Sequence, residues 1–304
     1  MTEHRSGFVA VIGKPNVGKS TLINALLGQK IAPVSPRPQT TRRRQLGILT
    51  LPDAQIVFVD TPGIHTPRHK LGEFFNQEAL ESLDGVDVIL FLVDAGAEPT
   101  DDDHRIASLL KRRRGAAHLL LALNKIDLVS AEALESRQSA YQALLQDVPR
   151  LVLSAARRDG IADLLTWLIS RLPLRPAEYP EEQVTDLYER EIAAELIREA
   201  ALVFLRDEVP HSLAVRVDEY TERGEGGAYI HATLFVEKVS QKGIVIGEGG
   251  AMLKKIGSAA RREIESMSGR KVFLELRAKV EKNWRDDENA LRRFGYKIKT
   301  KRMK

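Results

Sequence analysis

From residue 8 to residue 171, short apolar runs rich in β-branched side chains alternate with stretches whose apolar positions recur at helical spacing. Runs at 8–12, 86–93, 119–123 and 151–153 predict buried strands, and 21–27 and 161–171 predict helices. Two more strand-like runs, 45–50 and 56–60, are joined by too few residues for a parallel crossover, so they predict an antiparallel pair. This alternation implies an open α/β sheet with helices on both faces, whose ligand site lies beyond the carboxyl ends of the strands.

The pattern changes after a proline-rich stretch at 172–180. Ile192, Leu196, Ala200 and Val203 predict a helix over 188–205, and alternation at Leu213, Val215, Val217 and at Ile230, Ala232, Leu234, Val236 predicts a hairpin turning at 224–227. A glycine-rich turn at 244–250 leads into a helix over 251–267, and Val272, Leu274 and Leu276 alternate in a last strand. The order α, β, β, α, α, β marks a second, smaller domain. The expected boundaries are 1–174, a linker at 175–186, and 187–304. A short helix is expected over 287–294, with Trp284 packed against the second core rather than stacked on a base.

Polar motifs fall where the first sheet puts its strand ends. Gly13-Lys14-Pro15-Asn16-Val17-Gly18-Lys19-Ser20, followed by Thr21, stands between a strand and a helix and reads as a phosphate-binding loop. Its glycines let the backbone approach phosphate, Lys19 adds a point charge, and the Ser20 hydroxyl can ligate magnesium. Asp60-Thr61-Pro62-Gly63 follows the strand at 56–60, so Asp60 can hold magnesium through water and the Gly63 amide can sense a γ-phosphate.

Asn124-Lys125-Ile126-Asp127 supplies chemistry for a base. The Asp127 carboxylate can accept from guanine N1–H and the exocyclic amine together, whereas adenine has no such donors on that edge. Asn124 can meet the N7 side and tie strands together, the Lys125 stem can cover the ring, and the amides of Ser154-Ala155-Ala156 can approach the guanine oxygen. Ile64, the residue after Gly63, cannot orient a water. Hydrolysis must then rest on Lys19, magnesium, backbone amides and a further cation or partner group, with slow intrinsic turnover. His65 is a candidate base, but a solvated loop histidine is the simpler reading.

Charge sharpens the second domain. The 304 residues carry a net charge of only +4, yet 231–304 holds 19 Lys and Arg against 9 Asp and Glu, while the preceding residues hold 27 against 33. A basic C-terminal third suits a polyanion, either nucleic acid or an anionic membrane. The chain has no cysteine, which excludes disulfides and thiolate chemistry, and its seven histidines show no zinc-ligand spacing. The polar start leaves no room for a signal peptide, so the expected compartment is the cytoplasm.

Taken together, the four nucleotide motifs resemble the translation-factor-like GTPases. That likeness implies a P-loop domain with a mixed, mostly parallel sheet and a loop threonine that completes the magnesium shell. Thr41, before Arg42, fits that role, with Thr40 as the alternative. Asn16 matches the position where such relatives coordinate potassium. Ile246-Gly247-Glu248-Gly249-Gly250, with Lys242, Lys254, Lys255, Arg261 and Arg262, resembles the Gly-x-x-Gly loop of an α+β type II KH domain, which clamps about four nucleotides of single-stranded RNA. Glu248 departs from that pattern, since a carboxylate there repels phosphate.

The whole chain is similar to the Era-type ribosome-assembly GTPases. The resemblance implies a monomeric GTP/GDP switch that binds the 3′ end of 16S ribosomal RNA, assists 30S assembly, and has a peripheral inner-membrane fraction. The rival is a GTP-controlled membrane scaffold using the basic domain for lipid or protein docking. An ATP-using kinase or helicase is a third choice.

Overall fold

The computed structural model describes residues 4–34, 41–67, 69–113, 115–223 and 227–296. It divides into two compact units, whose main stretches meet between Asp186 and Leu187.

In the first unit, β1 (Arg5–Ile12), β2 (Gln45–Thr50), β3 (Ala54–Asp60), β4 (Val88–Asp94), β5 (His118–Asn124) and β6 (Arg150–Val152) form one sheet in the order β2-β3-β1-β4-β5-β6. Only β2 runs antiparallel, paired with β3 as the short connection requires. Alternating residues serve two cores. Val9, Val11, Phe58, Leu90 and Leu92 pack with α1 (Lys19–Leu27) and α5 (Ile161–Arg171) on one face. Ala10, Ile12, Ile89, Phe91 and Val93 pack on the other with α2 (Lys70–Glu81), α3 (Asp101–Arg113) and α4 (Ala131–Leu144). Helix α3 opens with three aspartates and closes with Lys111, Arg112 and Arg113, an arrangement that complements its macrodipole.

The segment 175–186, read as a linker, is bonded along the first sheet. Gln55 Oε1 accepts from the amides of Glu178 and Tyr179 at 2.8 and 3.0 Å, and Ile48 N donates to Val184 O at 2.9 Å. Thr185 bridges Gly47, and Asp186 Oδ1 accepts from Leu46 N at 2.7 Å. The segment satisfies the open edge of β2, so unpaired backbone there is covered rather than left to solvent.

The second unit contains α6 (Glu189–Phe204), β7 (Ala214–Arg223), β8 (Gly227–Val236), α7 (Val239–Ile246), α8 (Ala251–Ser268), β9 (Lys271–Val280) and α9 (Glu288–Arg293). The expected order of elements is observed. Strand β8 pairs antiparallel with β7 and parallel with β9, and the central residues of the hairpin turn lie outside the described residues. Ile230, Ala232, Leu234 and Val272 face α6 and α8 in a single core. Helix α7 continues through Ile246, so Ile244–Ile246 belong to its last turn and the glycine-rich turn starts at Gly247. Trp284 is fully buried and donates from Nε1 to Ser212 O at 2.8 Å, which removes it from any base-stacking surface.

Candidate functional site

Four segments converge because each follows a parallel strand: 13–20 after β1, 60–63 at the end of β3, 124–127 after β5 and 154–156 after β6. In the first, Asn16 (φ 64°) and Gly18 (φ 102°) adopt left-handed backbone, and Gly18 caps α1. The helix N-terminus favours an anion there. Lys19 is buried, with Nζ donating to the carbonyls of Gly13 (3.2 Å) and Lys14 (3.1 Å). Lys14 itself turns to α3, where Nζ donates to Asp103 Oδ2 at 2.7 Å. That side chain braces the loop against α3, which its place in the motif does not reveal.

The 60–64 segment lies on this loop. Ile64 N donates to Gly13 O at 3.3 Å, and a Cβ on Gly63 would stand 2.6 Å from Pro15 N. Thr61 Oγ1 is buried against Val11 O at 2.8 Å. Ile64 is sunk in the core with Ile12 and Phe91, so its side chain faces away from any water at the site. His65 Nδ1 lies 3.0 Å from Gly63 O and its amide donates to Asn76 Oδ1, which makes it a loop brace rather than a base.

Ser20 Oγ stands 2.8 Å from Thr41 Oγ1, and both hydroxyls lie within 3.1 Å of Asp60 Oδ2. Gln45 Nε2 reaches the same oxygen at 3.3 Å, while Asp60 Oδ1 is buried without a hydrogen-bond partner. A buried carboxylate oxygen is costly unless a donor or cation takes it. Two hydroxyls and this oxygen make an all-oxygen set that fits a hard divalent cation such as magnesium. Thr41 is thus placed where expected, and Thr40 lies outside the described residues.

Burial pulls the Lys19 ammonium down to about 8, against the opposing charge of Asp60. Burial also pushes the Asp60 carboxyl up, against Lys19 and the donors Ser20, Thr41 and Gln45. Between about pH 8 and the ordinary value of 10.5, the unfolded chain holds the Lys19 proton and the nucleotide-free fold does not, so this group makes stability rise with pH. Bound phosphate would restore the proton. Nucleotide affinity is therefore expected to fall above pH 8, by up to about tenfold per unit, with no change from this group below it. Calorimetry in buffers of different ionisation enthalpy should show proton uptake at pH 9 and little at pH 7; equal uptake at both would count against a lowered Lys19.

At the base end, buried Asn124 donates from Nδ2 to Val17 O (2.8 Å) and accepts at Oδ1 from Ala155 N (2.9 Å). The strap between segments is as expected, but the Ala155 amide is spent on it. Lys125, at φ 68°, sends Nζ to Asn16 O (2.7 Å) and Asp94 Oδ2 (2.6 Å), which stretches its stem beside the phosphate loop. Half-buried Ile126 packs against the second core face. Asp127 Oδ1 accepts from buried Ser154 Oγ at 2.6 Å, a bond that fixes the carboxylate plane. Ala156 is exposed. Sequence reasoning missed Gln45, Asp94 and Asp103. Asp94 alone had a signal, because it too ends a parallel strand.

In the second unit, Gly247 (φ 74°), Gly249 (φ 55°) and Gly250 (φ 82°) form the connection from α7 to α8, with Glu248 exposed among them. Lys254, Lys255, Arg261 and Arg262 are exposed on α8 and Lys242 is half-buried on α7. Helical geometry divides them. Lys255 Nζ sits 4.6 Å over the Phe204 ring on the α6 side, whereas Arg261 lines a cleft with Lys271 and Phe273 of β9.

A family model described as a 50S ribosome-binding GTPase matches residues 8–125, and a KH-domain model matches 208–285. The chain is 48% identical to GTPase Era of Lacticaseibacillus paracasei, over 98% of this chain and 99% of that one. It is 49% identical to GTPase Era of Geotalea uraniireducens, over 97% and 100%. Among solved structures it is similar to Era in complex with MgGDPNP and nucleotides 1506–1542 of 16S ribosomal RNA, with TM-score 0.91, 36% identity, and coverage of 97% of this chain and 100% of that one.

Proposed function

Because the chain belongs to the Era family of GTPases, we propose that it is a GTP-hydrolysing switch that binds the 3′ region of 16S ribosomal RNA and assists assembly of the 30S subunit. The observation that carries the reading is one chain holding both a guanine-selecting strand end, Asp127 set by Ser154, and a Gly247–Gly250 loop between two helices. The solved Era complex with 16S nucleotides supports the choice of RNA.

The chemistry follows from this chain's groups. The 13–20 loop and the α1 N-terminus hold phosphate oxygens, and Lys19 moves from the carbonyls of Gly13 and Lys14 to the phosphates, regaining full charge in doing so. Ser20, Thr41 and Asp60 would hold magnesium, which neutralises charge on the β- and γ-oxygens when bound. Gly63, packed against Pro15, would donate its amide to a γ-phosphate, so loss of that phosphate would release the segment behind it. Ile64 is buried, so no side chain at that position aims the attacking water, and slow turnover follows.

A potassium ion near Asn16 would supply the missing positive charge. Asn16 is exposed at a left-handed turn whose carbonyl is already fixed by Lys125. Turnover is expected to rise on the order of tenfold or more from sodium to potassium buffer, and Asn16→Ala to remove the difference. Equal rates in both salts would count against the cation.

The protein is expected to act as a monomer in the cytoplasm. No helix among the described residues is long and apolar enough to cross a membrane. Crosslinking to cellular RNA in GTP-analogue and GDP states, followed by sequencing, tests the reading. Recovery of the 16S 3′ end supports it, and absence of ribosomal RNA from both states would overturn it.

A further inference from the structure

On the outward face of the second unit's sheet, Asp218 is tied into ion pairs with Arg216 and Arg277. One corner differs. Tyr229 and Phe273 are register partners on β8 and β9, and their rings stack with centroids 5.8 Å apart and planes 21° off parallel. Arg223 lies over the Tyr229 ring at 4.7 Å, and Tyr229 Oη donates to Glu275 Oε2 at 2.9 Å. Tyr229 is therefore held from above and from its edge. Phe273 is 62% exposed.

Beside it is a cleft of about 440 Å³ lined by Arg223, Arg261, Lys271, Glu265 and Phe273. The acidic groups around it are engaged internally: Glu265 accepts from Val272 N, Glu222 from Arg270, and Glu275 from Tyr229. Arg261 and Lys271 make no ion pair among the described residues. An exposed ring held in place beside such cations is the combination that single-stranded nucleic acid uses, with bases on aromatic faces and phosphates on the charges. A membrane surface would use the cations but has no need of a stacked, edge-fixed pair.

We propose that Phe273, backed by Tyr229, is a stacking platform for an unpaired RNA base, with Arg261, Lys271 and Arg223 taking the adjoining phosphates. The cleft lies beyond the Gly247–Gly250 loop. Arg261 is eleven residues along α8 from Gly250, about 16 Å of helix. Nucleotides past the four or so that such a loop clamps would reach it. The platform extends the footprint and is tolerant of base identity, since every base offers a π face. It rests on the RNA-binding reading above.

The test compares wild type, Phe273→Ala and Phe273→Trp against short (about five-nucleotide) and long (about twelve-nucleotide) single-stranded oligonucleotides from the 16S 3′ region. The expected result is that Phe273→Ala binds the short RNA as wild type does but loses roughly tenfold on the long one. Phe273→Trp should restore the affinity and show fluorescence quenching by the long RNA. An exposed ring can be truncated without unfolding the domain, so a loss confined to long RNA is not a stability effect. Unchanged affinity of Phe273→Ala for both lengths would overturn the platform and leave the loop reading intact. Unchanged RNA affinity with lost binding to phosphatidylglycerol vesicles would overturn it in favour of lipid. If wild type bound neither length, the RNA reading itself would fall.

Discussion

Asp127→Asn is expected to lower GTP affinity on the order of 10⁴-fold and to raise affinity for xanthosine triphosphate. The Asp127 carboxylate accepts the Ser154 hydroxyl at Oδ1, 2.6 Å away, which leaves Oδ2 and the remaining lone pairs to accept the two guanine donors. Asparagine would keep its oxygen toward Ser154 and turn its NH₂ toward the base. Two donors would then face each other, and a buried donor without an acceptor is what makes such sites selective. Xanthine carries a carbonyl where guanine carries its amine, so the new donor finds a partner. Competition titrations with GTP, XTP and ATP read this directly. Equal weakening of all three nucleotides would mean that Asp127 supports the fold without reading the base, and a preference for ATP in the wild type would revive the kinase or helicase alternative.

Gly18→Ala is expected to weaken GTP and GDP alike by about 100-fold or more while leaving the domain folded. Gly18 has φ 102°, and a Cβ there would stand 2.3 Å from Asn124 Nδ2. Strain of this kind costs about 1–3 kcal/mol. The larger effect is on binding. Asn124 cannot step aside without releasing both Val17 O and Ala155 N, the bonds that hold the phosphate loop to the base end. Thermal melting should fall by about 2–4 °C for each kcal/mol of that strain, while fluorescent-GDP titration shows the affinity loss. Wild-type affinity in this variant would show that the Asn124 strap is dispensable.

Much of this was legible in the chain because it is local. Strand periodicity marked the sheet, the short connection from β2 to β3 made their pairing antiparallel, and every nucleotide motif sits directly after a strand. What escaped is carried by contacts far apart in sequence. The Lys14–Asp103 pair spans 89 positions, and the Lys125–Asp94 pair spans 31. No periodicity encodes either. The segment at 175–186 follows a run of prolines that suggests a spacer, but the Val184 carbonyl and the Asp186 carboxylate accept from the edge of β2. The basic residues of α8 looked like one set, yet positions one apart on a helix point about 100° away from each other, and Lys255 and Arg261 serve different faces. Alternation sets Phe273 on the face opposite Val272 and Leu274, but nothing in the sequence pairs its ring with Tyr229.

The proposed switch implies that the nucleotide state of the first unit governs how the second holds RNA. The direct measurement is the affinity of the protein for a single-stranded 16S 3′-end oligonucleotide, titrated with saturating GTP analogue and again with GDP. The account predicts tighter binding with the GTP analogue, by about fivefold or more, the range of an ordinary coupling free energy. Equal affinities in the two states would contradict it.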